Sequence, residues 1–482
     1  MRTTVLVYWL VLFPCIAFSQ INNPGFETTS DSSISIPKYW KFRSDKGAGF
    51  YLDSTIHHTR SKSLCITSPS STNRIAPFSQ TIAFQVPEIR SIQISAWIKL
   101  NEVAGNAGLW CQIRDKDDKV IGFRNLEQQG IFLDSSAEWK KYALNLIVNK
   151  DCRNLVIGGY LRGKGSAWFD DYSIEIQKVG SSPPVGEAKS YINKVYKLIK
   201  HHSIFSDQIQ WDSLDADLDH ISRDAVSFSD ADPISNYMLS KLQAAGDHHS
   251  FFMSSKRSEQ FDHGNLDERK PSVKLLSDHI GYVYVPGMLS LNKKALNKFA
   301  DSFQRLIQSL DSGQAINSWV VDLRENTGGN MYPMIAGLGP LLGNGTAGYF
   351  IKGNKKSRWY YKNGKCGENK SAIVKVKNYY CLKNPSPRIA ILIGGQTSSS
   401  GEMTAISFIG KPNTRFFGQT TGGYTTGNSM FKLPNHARLF LASSYSADRN
   451  RKKYTGKIVP DEIVEGTQDA LDAALVWIKK QG

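Results

Sequence analysis

The chain has 482 residues, 40% hydrophobic and 21% charged, more than one hydrophobic core usually organises, so two or three domains are expected. The formal net charge of +16 suits surroundings of acidic sugars, lipids or nucleic acid. The basic residues are scattered and no nucleic-acid-binding motif is present, so the charge reads as a solvated surface and a nucleic-acid partner is not expected.

The first twenty residues, MRTTVLVYWLVLFPCIAFSQ, place one arginine before a short apolar run, with small and polar residues near Ser19. This pattern predicts a secretory signal over 1–20, cleaved near Ser19 or Gln20, too short and wrongly flanked for a stable membrane span. Export to the periplasm or the cell exterior follows. Pro14 makes Cys15 a poor lipid-anchor site. No later segment is apolar enough for a transmembrane anchor. Beyond the signal lie Cys65, Cys111, Cys152, Cys366 and Cys381. Five is an odd number, so at least one thiol lacks a partner within the chain. Cys366 and Cys381 flank one polar insert and are placed to staple it. No Cys/His spacing resembles a zinc site.

Residues 21–178 read as an all-β unit. SLCITS, SIQISAWIKL, GLWCQIRD and KYALNLIV alternate apolar and polar positions between turn residues. The unit opens with NPGFE and closes with GSAWFDDYSIEI, and so resembles the jelly-roll carbohydrate-binding modules. That resemblance implies a β-sandwich, a possible glycan ligand, and a structural calcium shared by the first and last strands. Asn23, Glu27, Asp170 and Asp171 are the matching oxygen donors. Trp110 and Tyr160 are candidates for stacking on a sugar, with burial in the sandwich the favoured reading.

VGSSPPVGEA marks a linker, 179–187. Residues 188–255 then carry helical spacing in YINKVYKLIK and ISNYMLSKLQAA and end near GDHHSFFM. From 256 to 482 strand and helix alternate. HIGYVYVPGM is a strand, ALNKFADSFQRLIQSL a helix with Leu296, Phe299, Phe303, Leu306, Ile307 and Leu310 on one face, and SWVVDL, RIAILIG and TRFFG are strands. The fold class is therefore multidomain: an all-β jelly-roll sandwich, a helical segment, and an α/β core of parallel βαβ units.

In such a sheet, reactive groups gather at the carboxyl ends of the strands. Two glycine-rich loops fall there, RENTGGN after SWVVDL and GGQTSSSGE after RIAILIG. Glycine lets a backbone approach a ligand and point amides at it. A serine at the start of a helix, beside free amides, suits attack on a carbonyl if a base is available. Lys411 lies about a dozen residues down the same helix, roughly 18 Å at 1.5 Å per residue, and is too far. DHHSFF offers His248 and His249. Ser398 to Ser400 as simple helix caps, and Asp322 with Arg324 as a local ion pair, are the structural alternatives.

The ordered set GDHHSFF, VVDLRENTGG, SSSGE, FFGQTTGG and IVPDEIVE resembles the carboxyl-terminal-processing, or tail-specific, serine peptidases, over nearly everything after residue 188. The resemblance implies Ser399 as nucleophile, three residues before the marker Glu402, with the amides of Gly329 and Ser400 as oxyanion hole. Many members pair the serine with a lysine, but Tyr424 stands at that position here. The sequence is instead similar to the branch that includes the tricorn protease core. That likeness implies His249 as base and Ser250 as helper. An acid should orient the imidazole, with Asp448 the first candidate and Asp461 and Glu462 next. The gap after His249 leaves no room for a PDZ domain. The implied substrate is a peptide or unstructured protein end, and the implied catalysis needs no cofactor.

Overall fold

The computed structural model describes residues 21–480 apart from 32–33, 44–46, 70–74, 265–268, 277–278 and 466. The signal expected at 1–20, with Cys15, lies outside the described residues. The chain divides into two compact units: one runs up to Pro183 and adds Ala216–Asp224, the other contains Pro184–Asp215 and everything from Ala225 onward. The helices Gly186–His202 and Phe228–Ala244 belong to the same unit as the α/β core.

The first unit is all β in its sheet. Eight strands join through two long antiparallel ones, Arg90–Arg114 and Asn154–Ile176. Their alternating burial sends one set of side chains into a single core. Phe26 of NPGFE is fully buried and packs on Trp40 and Phe78, with ring centroids 5.1 and 6.0 Å apart. The motif is therefore a core anchor. Tyr160 is buried as well, its hydroxyl accepting from Asn106 Nδ2 at 2.9 Å, and Trp110 donates to Gly159 O at 3.2 Å.

In the second unit a six-stranded sheet has the order Ser272–Leu275, Ile280–Tyr284, Ser318–Asp322, Arg388–Ile393, Thr414–Gly418, Glu462–Ile463. The first pair is antiparallel and the rest are parallel. Every residue of Ser318–Asp322 is buried, as expected for a strand covered on both faces. The helix Lys293–Gly313 buries Leu296, Phe299, Phe303 and Ile307 on the face predicted for it. Its first turn is capped by Asn292, whose side chain accepts from Ala295 N at 3.0 Å.

A second sheet of eight strands was not anticipated. It is antiparallel, runs Phe251–Met253, Arg438–Asp448, Gly345–Lys352, Lys355–Lys362, Lys365–Glu368, Ser371–Lys375, and adds Thr426–Lys432 and Lys453–Tyr454 beside Arg438–Asp448. Cys366 lies buried in this sheet and Cys381 is exposed; both are free thiols. The expected staple is absent. Cys65, Cys111 and Cys152 are buried free thiols, and burial pushes each thiol upward in pKa, Cys65 and Cys152 to about 12.

Candidate active site

The parallel register Asp322↔Leu392 ends two neighbouring strands at one level, so both glycine-rich loops leave from the same edge of the sheet. Asn326, fully buried, ties them together. Its backbone oxygen accepts from Ser398 N at 3.0 Å, and its side-chain oxygen accepts from Gly328 N at 3.0 Å. Thr397 Oγ1 donates to Leu323 O at 2.8 Å. The three serines then diverge. Ser398 Oγ donates to Gln396 O at 3.1 Å and Ser400 Oγ donates to Gly329 O at 2.7 Å. Ser399 turns its hydroxyl toward His249, with Oγ 2.9 Å from Nε2.

Ser399 has φ 52° and ψ −119°, a conformation that costs a non-glycine residue about 1–3 kcal/mol. Glu402 helps hold it. One carboxylate oxygen accepts from Ser399 N at 2.9 Å; the other accepts from Gly423 N at 2.9 Å and from the Thr421 hydroxyl. Burial raises the Glu402 pKa against these hydrogen bonds, which lower it. Gly328 and Gly329 have φ 111° and 115°, open to glycine and strained for other residues. A Cβ at Gly328 would stand 2.9 Å from Ser399 Cβ and 3.3 Å from Ser400 N. The loop is therefore in van der Waals contact with the serine, and only glycine fits there.

His249 comes from the other sheet. It precedes Phe251–Met253, which pairs antiparallel with Arg438–Asp448 in the register Phe251↔Phe440. Asp247 is buried and shapes the turn: its Oδ1 accepts from His249 N and Ser250 N, both at 2.9 Å, and its Oδ2 accepts from Ser250 Oγ. Ser250 Oγ also accepts from Ala442 N at 2.8 Å. Ser250 thus locks the turn to the sheet and does not touch the imidazole. His249 O accepts from Asn428 Nδ2 at 2.9 Å, and His248 is exposed. Burial depresses the His249 pKa to about 4, opposed by the charge of Asp247 and by hydrogen bonding to the Thr426 backbone. The imidazole is therefore neutral at pH 7, as a base must be. Tyr424, at the position held by lysine in many of the resembled peptidases, tilts its ring 5.6 Å from the His249 ring.

The acid expected beside the imidazole is elsewhere. Asp448 is buried, but its Oδ1 accepts from Asn450 N and Lys452 N at 2.8 and 3.1 Å and its Oδ2 accepts from Tyr454 Oη at 3.0 Å. It closes the turn after the strand Arg438–Asp448. Asp461 accepts from Phe416 N at 2.8 Å and Glu462 pairs with Arg415 at 3.2 Å. The atom facing His249 Nδ1 is Thr426 Oγ1, at 2.8 Å. Its 177-residue separation from His249 and its ordinary strand context left no sequence signal for it. Asp322 and Arg324 form the anticipated ion pair, with Arg324 Nη2 2.5 Å from the carboxylate.

The four candidate calcium donors do not converge either. Asn23 Oδ1 accepts from Thr28 N at 2.9 Å, Glu27 accepts from Ser61 and Lys62, and Asp170 Oδ2 accepts from His58 N and Thr59 N at 2.9 and 3.2 Å. Asp171 binds the His58 ring and the Thr59 hydroxyl, both at 2.7 Å. Protein donors occupy these oxygens, and among the described residues no group of three or more His, Cys, Asp or Glu is placed to hold a metal. The donor set does not fit calcium.

Ser399, His249, Gly329 and Ser400 line a cleft of about 1340 Å³, with Phe251, Phe350, Met331 and Met403 among its apolar walls. This exceeds a typical small-molecule site and suits a stretch of several residues of chain. Residues 279–464 match the family model described as Peptidase family S41. The match covers 186 of the chain's 482 residues. His249 lies upstream of the matched segment, so the S41 match spans the serine and both glycine loops but not the imidazole. The chain is similar to a nisin-resistance protein of Lactococcus lactis subsp. lactis, 26% identical over 319 residues, covering 66% of this chain and 93% of that one. It is similar also to the solved structure of a lipoprotein from Streptococcus agalactiae, with a TM-score of 0.51 and 26% identity over 64% of this chain and 100% of that one.

Proposed function

We propose that this chain is an exported serine peptidase that cleaves peptides or unstructured protein ends, with Ser399 as nucleophile and His249 as general base. The observation that carries this reading is the 2.9 Å approach of Ser399 Oγ to His249 Nε2 at the wall of an open cleft. Geometry comes first for a general base, and the neutral imidazole supplies the protonation state. His249 takes the hydroxyl proton as Ser399 Oγ bonds to the peptide carbonyl carbon, and the amides of Gly329 and Ser400 receive the developing oxyanion. Collapse of the tetrahedral species breaks the C–N bond, and the imidazolium returns the proton to the leaving amine. Water, deprotonated by the same imidazole, then releases the acyl group from Ser399. No metal or cofactor enters these steps.

Export is supported by the pattern of residues 1–20 and by the likeness to a protein described as a lipoprotein. Among the described residues no helix is long and apolar enough to cross a membrane. The name of the nisin-resistance relative makes a peptide the first substrate class to try. For the β-sandwich a glycan is the proposed ligand class, on its jelly-roll motifs alone. The test is hydrolysis of a peptide library by wild type beside Ser399→Ala. Cleavage that disappears in the variant is expected; equal cleavage by both, or none by folded wild type, overturns the proposal.

A further inference from the structure

The geometry points to Thr426 as the residue that orients the imidazole, taking the place a carboxylate occupies in Ser-His-Asp sites. This inference rests on the peptidase reading and adds its third member. Three observations carry it. Thr426 Oγ1 lies 2.8 Å from His249 Nδ1, on the opposite side of the ring from Ser399. The Thr426 backbone also hydrogen-bonds the imidazole in the sense that favours its charged form. With its proton on Nδ1, donated toward Thr426, the ring leaves the Nε2 lone pair facing Ser399, the tautomer that a general base requires. Finally, three candidate acids are engaged elsewhere. Asp247 holds the His249 and Ser250 amides, Glu402 holds the Ser399 amide, and Asp448 closes its own turn.

Thr426 is also held in place by the fold. It opens the strand Thr426–Lys432 and pairs with Tyr445 of Arg438–Asp448, whose other end pairs with the strand after His249. Gly427 follows it, and a Cβ there would stand 2.4 Å from Ser444 Oγ and 2.6 Å from the Phe350 ring. One strand thus registers both Thr426 and His249, and the close packing at Gly427 fixes the start of the Thr426 strand. A hydroxyl orients a neutral ring without the strong ionic stabilisation of imidazolium that a carboxylate gives. Among the groups facing the ring, Asp247 supplies the nearby negative charge, and Tyr424 and Ser399 contribute hydroxyl-bearing side chains.

The experiment is the rate at which a fluorophosphonate probe labels Ser399, measured from pH 3 to 9 in wild type, Thr426→Val and Thr426→Ser. Loss of one neutral hydrogen bond predicts a fall of roughly three- to tenfold at pH 7 in Thr426→Val, and a lower midpoint for the acid limb because the imidazolium loses an acceptor. Thr426→Ser should restore both. A purely packing role would move neither the acid limb nor the serine rescue. If wild type labels and Thr426→Val matches it in rate and pH profile, the Thr426 hydroxyl has no orienting role and the inference fails alone. If folded wild type does not label, the peptidase reading fails and takes this inference with it.

Discussion

Two regions of this molecule gather polar side chains among aromatics, and they end differently. In the sandwich, Asp170 is fully buried and its oxygens accept from His58, Thr59 and Asp171 amides, while Asp171 holds the His58 ring and Thr59. In the peptidase unit, Ser399 and His249 meet at the wall of an open cleft of about 1340 Å³. The first cluster closes on itself, as buried polar groups must when water is excluded. The second leaves a hydroxyl and an imidazole facing space that a substrate can enter. The difference separates a structural motif from a chemical one more firmly than residue type does, since the aspartate pair read as metal donors and the threonine as nothing.

The comparison breaks most visibly at the serine. Ser399→Ala should abolish peptide hydrolysis, and His249→Ala should lower kcat/KM by about a thousandfold or more, both without change in far-UV circular dichroism. Gly328→Ala comes next: its Cβ would press on Ser399 Cβ at a backbone angle costly for alanine. A loss of about a hundredfold in kcat is expected from displaced reacting atoms. Glu402→Gln keeps the shape but weakens the hold on the Ser399 amide, and about tenfold in kcat should follow.

The smaller effects test the closed clusters. Asp448→Ala removes three hydrogen bonds from a buried turn and should lower the stability of the peptidase unit by about 2 kcal/mol. The folded fraction, counted by Ser399 labelling, should retain wild-type activity; a thousandfold loss would return Asp448 to the catalytic site. In the sandwich, burial followed by the neighbouring charge of Asp171 raises the Asp170 pKa to about 6, above the usual carboxylate value. For a carboxyl whose folded pKa is raised, the associated stability is full below about pH 4 and lost as pH rises to 6. Thermal melting followed from pH 4 to 7 should show this decline in wild type and a flatter profile in Asp170→Asn.

Much of the fold was legible because burial imposes periodicity. SWVVD and RIAILI announce strands covered on both faces, and the Leu296-to-Ile307 stripe announces its helix. The second sheet was missed because Thr426–Lys432 and Lys355–Lys362 mix exposed, half-buried and only one or two buried positions in short runs. Ser399 was singled out by resemblance, through its spacing to Glu402 beside the glycine loops, a pattern that is local in sequence. The partner of His249 Nδ1 was not, because a sheet pairing across 177 residues decides it. The DHHS turn carried more than it was credited with: its aspartate and serine form a buried clamp on the histidine backbone.

The account stands on Ser399 being activated by His249. Intact-mass analysis after exposure of the folded protein to a fluorophosphonate at pH 7, with the adduct mapped by proteolysis, tests it most directly. A single adduct on Ser399, absent from folded His249→Ala, is predicted. An adduct on another residue, or equal labelling of Ser399 without the imidazole, would contradict it.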